Sequence, residues 1–194
     1  ILPCIAGHVG ADAAGVVLAE APQKGEINTL VVDVGTNAEI VVGNSQRMLA
    51  ASSPTGPAFE GAQISSGQRA APGAIERIRI DKDTLEPRFR VIGVEEWSDE
   101  DGFDAAVQST GITGICGSGI IEVLAEMYIN GILSTDGVID GDVVARSPRI
   151  EQDGRTFSYR VSDNVVVTQN DVRAIQLAKA ALHAGFRLLM DKMD

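Results

Sequence analysis

An aspartate at the end of an apolar run, followed by a short polar turn, is the stretch of this sequence best suited to chemistry. Residues 30–34 are apolar except for Asp33, which is typical of a buried strand whose end reaches the surface. Gly35 allows a close approach to the backbone, and Thr36 and Asn37 carry short hydrogen-bonding side chains. Exposed amides in such a turn bind anionic oxygens, and a nearby carboxylate can hold the water ligands of Mg²⁺. The stretch therefore predicts a phosphate-binding turn, with an ordinary β-hairpin as the alternative.

This turn differs from the two commonest phosphate-binding loops. A Walker loop requires a Gly-Lys pair, which this sequence lacks. In a dinucleotide-binding fingerprint the glycines open a helix, whereas Gly35 is followed by a strand-like run, Glu39-Ile40-Val41-Val42. We therefore expect the turn to connect two strands.

A second glycine-rich segment, residues 110–119, precedes a run with apolar residues at helical spacing. A glycine-rich turn that opens a helix can bind an anion through Gly117, Ser118 and Gly119. The alternative is that these small residues let the helix pack closely on a sheet. Cys116 lies in the same turn without an obligate base, so we interpret it as a packed thiol.

Residues 53–62 contain a third candidate site. Pro57 suits the first turn of a helix, which we expect to extend to about residue 67 or 69. The amides at its beginning, next to Gly56, would favour an anion, and Glu60 adds a carboxylate.

Three residues near the beginning of the chain have metal-binding side chains spaced four apart. Cys4, His8 and Asp12 would share one side of a continuous helix. However, Pro3, Gly7 and Gly10 oppose such a helix, so ordinary loop packing is expected there.

The remaining periodicity predicts alternating strands and helices. Three strands at about 28–33, 38–43 and 47–52 form an antiparallel meander, and residues 74–94 form a β-hairpin. The acidic segment 95–104 is expected to be a loop or short helix, and two further strands are expected at 156–161 and 164–167. A helix is expected over 11–21, and a longer one is capped by residues 168–171, with His183 beside its buried stripe.

Composition limits the classes of function. The 194 residues suffice for one domain or two small lobes, and 44% of them are hydrophobic. A net charge of −11 argues against nucleic acid or an anionic membrane as the main partner. The two cysteines imply neither a disulfide framework nor a zinc site, and neither a membrane span nor a signal peptide is evident, so a cytoplasmic location is expected.

Four stretches together resemble one protein family. The order strand, Asp-x-Gly-Thr, strand, strand, then Gly-x-Gly and a helix resembles the second lobe of the actin-like ATPases, which include acetate and sugar kinases, heat-shock chaperones and actin. More narrowly, VDVGTNAEIVVG, GPAFEGAQISSGQRAAPGAI, GICGSGIIEVLAEM and TQNDVRAIQLAKAAL resemble reductive activators of corrinoid proteins. The resemblance implies an α/β, ribonuclease H-like fold: a mixed sheet, with an antiparallel three-strand meander flanked by helices and a small β-hairpin insertion.

The resemblance also implies roles for individual residues. Asp33 and Glu60 become the candidate catalytic carboxylates, and Asp33 lies nearest a Mg²⁺ ion held through water. The candidate nucleotide- and phosphate-binding residues are Gly35, Thr36, Asn37, Gly56, Gly117, Ser118 and Gly119.

The resemblance further implies that residues 1–194 are part of a longer protein. They correspond to the C-terminal part of an actin-like ATPase domain, on its phosphate 2 side. A 2Fe–2S domain and a phosphate 1 loop are expected upstream, and an adenosine motif is expected downstream. The implied cofactors are ATP, Mg²⁺ and, in the N-terminal domain, a 2Fe–2S cluster. The implied activity is ATP-dependent reduction of Co(II) to Co(I) in a corrinoid methyltransferase or corrinoid iron–sulfur protein, with a homodimer as the possible assembly.

Two other functions remain open on this fold. A kinase for a small acid or sugar would need a catalytic carboxylate, for which Glu60 and Asp12 are the candidates. A non-catalytic scaffold would retain the Asp33 turn as a vestige, and its partner binding would not depend on ATP. Because the resemblance places the 2Fe–2S domain, the phosphate 1 loop and the adenosine motif outside these 194 residues, they are expected on their own to be redox-inactive and to bind nucleotide weakly at best.

Overall fold

The computed structural model describes residues 2–193, which divide into two compact units. The described part of the first unit comprises residues 2–56 and 177–193, and the second unit comprises residues 57–176. Within residues 2–193, no helix has both the length and the apolar composition needed to cross a membrane.

A three-stranded antiparallel meander forms the centre of the first unit. Helix α1 (Ala11–Glu20) precedes β1 (Thr29–Val34), β2 (Ala38–Gly43) and β3 (Met48–Ser53), which pair in the order β1-β2-β3. The predicted meander is confirmed. In the central strand β2, five of the six residues are buried, which explains its nearly continuous apolar sequence.

The C-terminal part of a long helix, α4 (Gln169–Asp191), packs on one face of this meander. Its Leu189 is buried with Ile40 and Val42 of β2. The approach is close because Gly185 has no side chain: a Cβ there would lie 2.6 Å from Cδ1 of Ile40. The Ser53 hydroxyl also donates a hydrogen bond to the Ala181 carbonyl at 2.5 Å. These contacts fix the sheet that carries the Asp33 turn.

Two small sheets and one helix form most of the second unit. Strands β4 (Ala74–Ile80) and β5 (Pro87–Val91) form the predicted hairpin, and β6 (Gly114–Ile115) pairs with β4 in parallel. Helix α2 (Phe103–Val107) follows the acidic segment, and α3 (Gly117–Ile129) follows β6. Strands β7 (Ile150–Asp153), β8 (Thr156–Ser162) and β9 (Val165–Thr168) form the second, antiparallel sheet. The strands predicted near 156–161 and 164–167 are thus confirmed.

The helix predicted from Pro57 to about residue 67 or 69 is wrong. Only a short 3-10 helix forms, Pro57–Glu60, because Gly61 and Gln63 adopt positive φ angles of 82° and 68°. The chain then runs beside β6. The Ile115 amide donates to the Ser66 carbonyl, and the Gln68 amide donates to the Ile115 carbonyl, each at 2.9 Å. Pairing with a distant strand therefore replaces the local helix.

The first turn of α4 forms the cap that the sequence predicts. The Asp171 carboxylate accepts hydrogen bonds from the Thr168 amide and hydroxyl, both at 2.8 Å. Farther along α4, His183 is exposed and its ring contacts that of Phe186, with 4.7 Å between centroids. This exposure agrees with the prediction that His183 lies beside the buried stripe of the helix.

Candidate functional site

The polar turn between β1 and β2 is held from behind by a buried threonine. The Thr55 hydroxyl lies 2.9 Å from the Gly35 carbonyl and 3.1 Å from the Thr36 carbonyl, to which it can donate. Thr55 is only 6% exposed, so these carbonyls face the interior of the first unit. The Gly35 amide closes the turn on the Asn37 carbonyl at 3.1 Å.

The anchoring by Thr55 determines the direction of two amides. In a trans peptide the C=O and the following N–H point in opposite directions, and the structure has no cis peptide bond among its described residues. Because the carbonyls of Gly35 and Thr36 point to Thr55, the amides of Thr36 and Asn37 point away from it. Two neighbouring amides directed outward from an exposed turn are suited to an anionic oxygen.

Asp33 belongs to a polar row that crosses the meander. It is half-buried on β1 and lies directly opposite Glu39 on β2, which in turn lies opposite Ser52 on β3. The Ser52 hydroxyl donates a hydrogen bond to the Glu39 carboxylate at 3.1 Å. Residues directly opposite each other point to the same face of a sheet, so the two carboxylates share one face.

A cavity of about 530 Å³ lies beside this row, within the first unit. Asn37 of the turn and Glu39 and Ser52 of the row line it. Asp12, the carboxylate considered for a kinase, lines the same cavity, as do Cys4 and His8. The structure therefore brings Asp12 and Asn37 to one cavity, although they are 25 positions apart in the sequence.

The spacing of Cys4, His8 and Asp12 does not produce a metal centre. Residues 4–10 are not helical, and α1 begins only at Ala11. Among the described residues, no three His, Cys, Asp or Glu side chains form a group that could hold a metal ion directly. The expected loop conformation is thus observed for this segment.

In the second unit, two glycines of the α3 turn are required by close packing. A Cβ on Gly117 would lie 1.9 Å from the Phe59 carbonyl oxygen, and one on Gly119 would lie 2.5 Å from the Ile75 carbonyl oxygen. The Ser118 hydroxyl donates to the Glu76 carbonyl at 3.1 Å. The close-packing alternative therefore accounts for this turn without a ligand, and a role in nucleotide binding stays a prediction.

Cys116 behaves as the sequence predicts. It precedes α3, is 2% exposed, and its sulfur lies 3.3 Å from the Ser118 hydroxyl.

The remaining candidates lie on either side of the boundary between the units. Gly56 ends the N-terminal segment of the first unit with a φ of 72°, which favours glycine. Glu60 is exposed at the end of the 3-10 helix Pro57–Glu60 in the second unit. Because the predicted helix is absent, neither residue lies at the beginning of a long helix.

Sequence reasoning missed Thr55 and one of the two roles of Asp171. Thr55 was not singled out, and its only sequence signal is its place in a turn between two prolines. Asp171 is 1% exposed, and beyond capping α4 it accepts hydrogen bonds from the Ser65 amide and hydroxyl at 2.7 and 3.1 Å. It thereby joins the loop after the short 3-10 helix to α4.

Comparisons with known proteins agree with this architecture. Residues 27–194 match the family described as the C-terminal domain of RACo, the ASKHA domain. The chain is 32% identical over 203 residues to the corrinoid activation enzyme RamQ of Eubacterium limosum, covering 98% of this chain and 31% of that protein. It is 28% identical over 200 residues to the [Co(II) methylated amine-specific corrinoid protein] reductase of Methanosarcina barkeri, covering 97% and 33%.

A solved structure with the same fold is a reductive activator for corrinoid, iron–sulfur protein. It is 32% identical to this chain and superimposes with a TM-score of 0.82, covering 100% of this chain and 30% of that one. The predicted actin-like ATPase fold is therefore confirmed. The chain spans about a third of the length of the relatives that it matches.

Proposed function

Since the chain belongs to the family of the C-terminal ASKHA domain of RACo, we propose that it is the nucleotide-binding lobe of an ATP-dependent reductive activator. The protein acted on is a corrinoid methyltransferase or a corrinoid iron–sulfur protein. Its cobalt gains one electron and passes from Co(II) to Co(I). The names of the relatives support this proposal, because they describe corrinoid activation and the reduction of a Co(II) corrinoid protein.

The main structural support for nucleotide binding is the turn between β1 and β2 that Thr55 anchors. The Thr55 hydroxyl holds the carbonyls of Gly35 and Thr36, and the amides of Thr36 and Asn37 are therefore directed outward. These donors are neutral and fixed in position, so they suit the oxygens of a phosphate group. Asp33, at the same end of β1, suits a hydrated Mg²⁺, which usually retains several of its water ligands.

In this proposal the residues bind and orient rather than react covalently. Asp33 would hold water ligands of Mg²⁺, while Gly35, Thr36 and Asn37 would hold phosphate oxygens by hydrogen bonds. Mg²⁺-ATP, when bound, supplies phosphoryl transfer to water and hence the free energy for a thermodynamically uphill electron transfer. The 2Fe–2S cluster that the family resemblance predicts in an N-terminal domain would supply the electron.

The other candidate residues keep the roles that the family resemblance implies. We propose that Gly56 borders the phosphates and that Gly117, Ser118 and Gly119 flank the nucleotide. Glu60 is the second candidate catalytic carboxylate; its exposure at the end of a short 3-10 helix leaves it accessible.

The test is ATP hydrolysis by the full-length protein, with and without the corrinoid protein from the same cell. We expect hydrolysis that the corrinoid protein stimulates and that Asp33→Ala abolishes. Asp163→Ala is the matched control, because Asp163 is an exposed turn aspartate of the second unit. Unchanged hydrolysis in Asp33→Ala would remove Asp33 from the site.

Two other outcomes would support the alternatives. Hydrolysis that ignores the corrinoid protein, with a phosphorylated metabolite as product, would indicate a small-molecule kinase. Asp12 is then the carboxylate to substitute, because it lines the same cavity as Asn37. A folded protein that binds its partner without hydrolysing ATP would indicate a scaffold.

A further inference from the structure

Arginines occupy the outer face of the β4–β5 hairpin. Cross-strand partners in this hairpin are Arg77 with Arg90 and Arg79 with Arg88, whereas the intervening Ile78–Phe89 pair is buried. Side chains alternate along a strand, so the arginines all lie on the face opposite to that of Ile78 and Phe89. We call this set the arginine face, and it comprises Arg77, Arg79, Arg88 and Arg90.

This concentration of positive charge is unusual for the chain. The sequence has a net charge of −11, yet four of its 16 basic residues lie on two adjacent strands. Like charges directly opposite each other destabilise a sheet. The stability of the hairpin therefore does not account for the arginine face.

Intramolecular carboxylates compensate only part of the charge. Glu122 pairs with both Arg77 and Arg79, while Glu126 lies 3.9 Å from Arg79. Asp99 lies 3.7 Å from Arg88.

Three carboxylates thus form ion pairs with three of the four arginines, and two of the three carboxylates also accept main-chain amides of β4. Arg90 forms no ion pair with any of residues 2–193. The side chains of Arg77, Arg79 and Arg88 are 48%, 38% and 50% exposed, so much of their surface remains accessible.

A half-buried tryptophan borders the arginine face. The guanidinium carbon of Arg88 lies 4.8 Å from the centroid of the Trp97 ring, as in a cation–π contact. Tryptophan and arginine are among the residue types most enriched at the positions that dominate binding energy in protein interfaces.

We propose that the arginine face, together with Trp97, is a docking site for an acidic segment of a partner protein. Guanidinium groups match carboxylates as two-pronged donors, which favours aspartate and glutamate over other ligands. Alternate residues of an extended strand lie about 7 Å apart, which is also the spacing of Arg77 and Arg79 along β4. An extended segment with acidic side chains at alternate positions therefore fits along the hairpin.

Charge also distinguishes this partner from nucleic acid. The arginine face contains only two arginines on each strand, while the chain as a whole is strongly acidic. A long polyanion would meet repulsion beyond the edge of the patch, whereas a short acidic segment would not. This inference does not depend on the nucleotide chemistry proposed above.

The test measures binding of the full-length protein to a labelled decapeptide of alternating glutamate and serine, at low salt. The double variant Arg88→Gln/Arg90→Gln is expected to bind about tenfold more weakly, because it removes half of the guanidinium groups. The matched control Arg155→Gln/Arg173→Gln has the same change of charge on exposed residues of the same unit and is expected to bind as the wild type does. The thermal midpoint of the first variant should be unchanged or higher, because each substitution removes one like-charge pair.

Equal weakening in both double variants would overturn the proposal, because only the total charge would then matter. A decathymidylate that binds as tightly as the peptide would indicate nucleic acid instead. Peptide binding that persists in Arg88→Gln/Arg90→Gln while its thermal midpoint falls would show that the arginines are structural. If the double variant does not fold, Arg90→Gln alone serves, because Arg90 forms no ion pair among the described residues.

Discussion

The carboxylate of Glu122, on α3, accepts a hydrogen bond from the main-chain amide of Ile78, on β4, at 2.7 Å. A side chain of the helix thus accepts the main-chain hydrogen bond that a neighbouring strand would otherwise accept. Strand β6 pairs with β4 only at Ala74 and Ile75, so the rest of this edge would otherwise lack a partner. Unpaired strand edges promote association with other chains, and this contact covers one.

Glu122 is one member of a regular series along α3. The Ser118 hydroxyl donates to the Glu76 carbonyl, Glu126 accepts from the Ile80 amide, and Asn130 donates to the Ile80 carbonyl. The four side chains are spaced four residues apart. Four residues of a helix span about 6 Å along its axis, and two residues of a strand span about 6.6 Å. Side chains four apart on α3 can therefore reach main-chain groups two apart on β4.

We expect Glu122→Gln to lower the free energy of unfolding by about 1.5–3 kcal/mol, because charge-assisted hydrogen bonds from Arg77 and Arg79 are lost. Urea denaturation followed by circular dichroism measures this difference. Glu95→Gln is the matched control, because Glu95 is exposed in the segment after β5 of the same unit and its substitution should change stability by less than about 0.5 kcal/mol. Equal losses in the two variants would show that the contact to β4 contributes nothing specific.

The carboxylate of Glu122 should also make the free energy of unfolding depend on pH. Burial raises the pKa of Glu122, but the hydrogen bonds from Arg79, the Ile78 amide and Arg77 together lower that pKa below its ordinary value of 4.5. A carboxylate with a lowered pKa in the folded state stabilises the fold above the pKa of the unfolded state. That contribution is lost as the pH falls through the folded-state pKa.

The difference in unfolding free energy between wild type and Glu122→Gln should therefore be largest at pH 7 and decrease below pH 4.5. Urea denaturation at a series of pH values from neutral to about pH 3 measures it. A difference that stays constant across this range would contradict the assigned cause of the pKa shift.

Thr55→Val should loosen the turn between β1 and β2. The substitution keeps the shape of the side chain but leaves the carbonyls of Gly35 and Thr36 without their hydroxyl partner, at a cost of about 1–3 kcal/mol. Nucleotide affinity of the full-length protein, measured by calorimetry, should fall as well. Thr55→Ser restores the hydroxyl and should recover both properties; if it does not, the hydroxyl is not the cause.

Gly117→Ala should destabilise the protein although alanine favours helices. In a helix interior this change would stabilise by about 1 kcal/mol, and at Gly117, the first residue of α3, propensity alone would stabilise by less than that. The new methyl group would lie 1.9 Å from the Phe59 carbonyl oxygen, and overpacking of this kind costs about 1–3 kcal/mol. Gly7→Ala is the control, because no atom lies within 4 Å of its Cβ position. Thermal unfolding of both variants without nucleotide separates packing from ligand binding, and an unchanged midpoint in Gly117→Ala would contradict the packing role.

Local patterns predicted most of the regular structure. The meander, the β4–β5 hairpin, α3 and the cap of α4 all follow from the alternation or helical spacing of nearby residues. The helix expected after Pro57 failed because Gln68 and Ser66 pair with Ile115, about fifty positions later. Helix-start signals are local, whereas this pairing is not, so no pattern around Pro57 could reveal it.

The sequence by itself determined the family, the meander, the β4–β5 hairpin, the three helices α1, α3 and α4, and the polar turn from Asp33 to Asn37, because each depends on residues close together in the chain. Only the tertiary structure decided that Thr55 anchors this turn, that Asp12 and Asn37 line one cavity, and that the arginines of β4 and β5 lie opposite each other. Each of these relationships joins residues of different helices, strands or loops. Their geometry depends on strand register and side-chain direction, which are fixed only when the elements pack together.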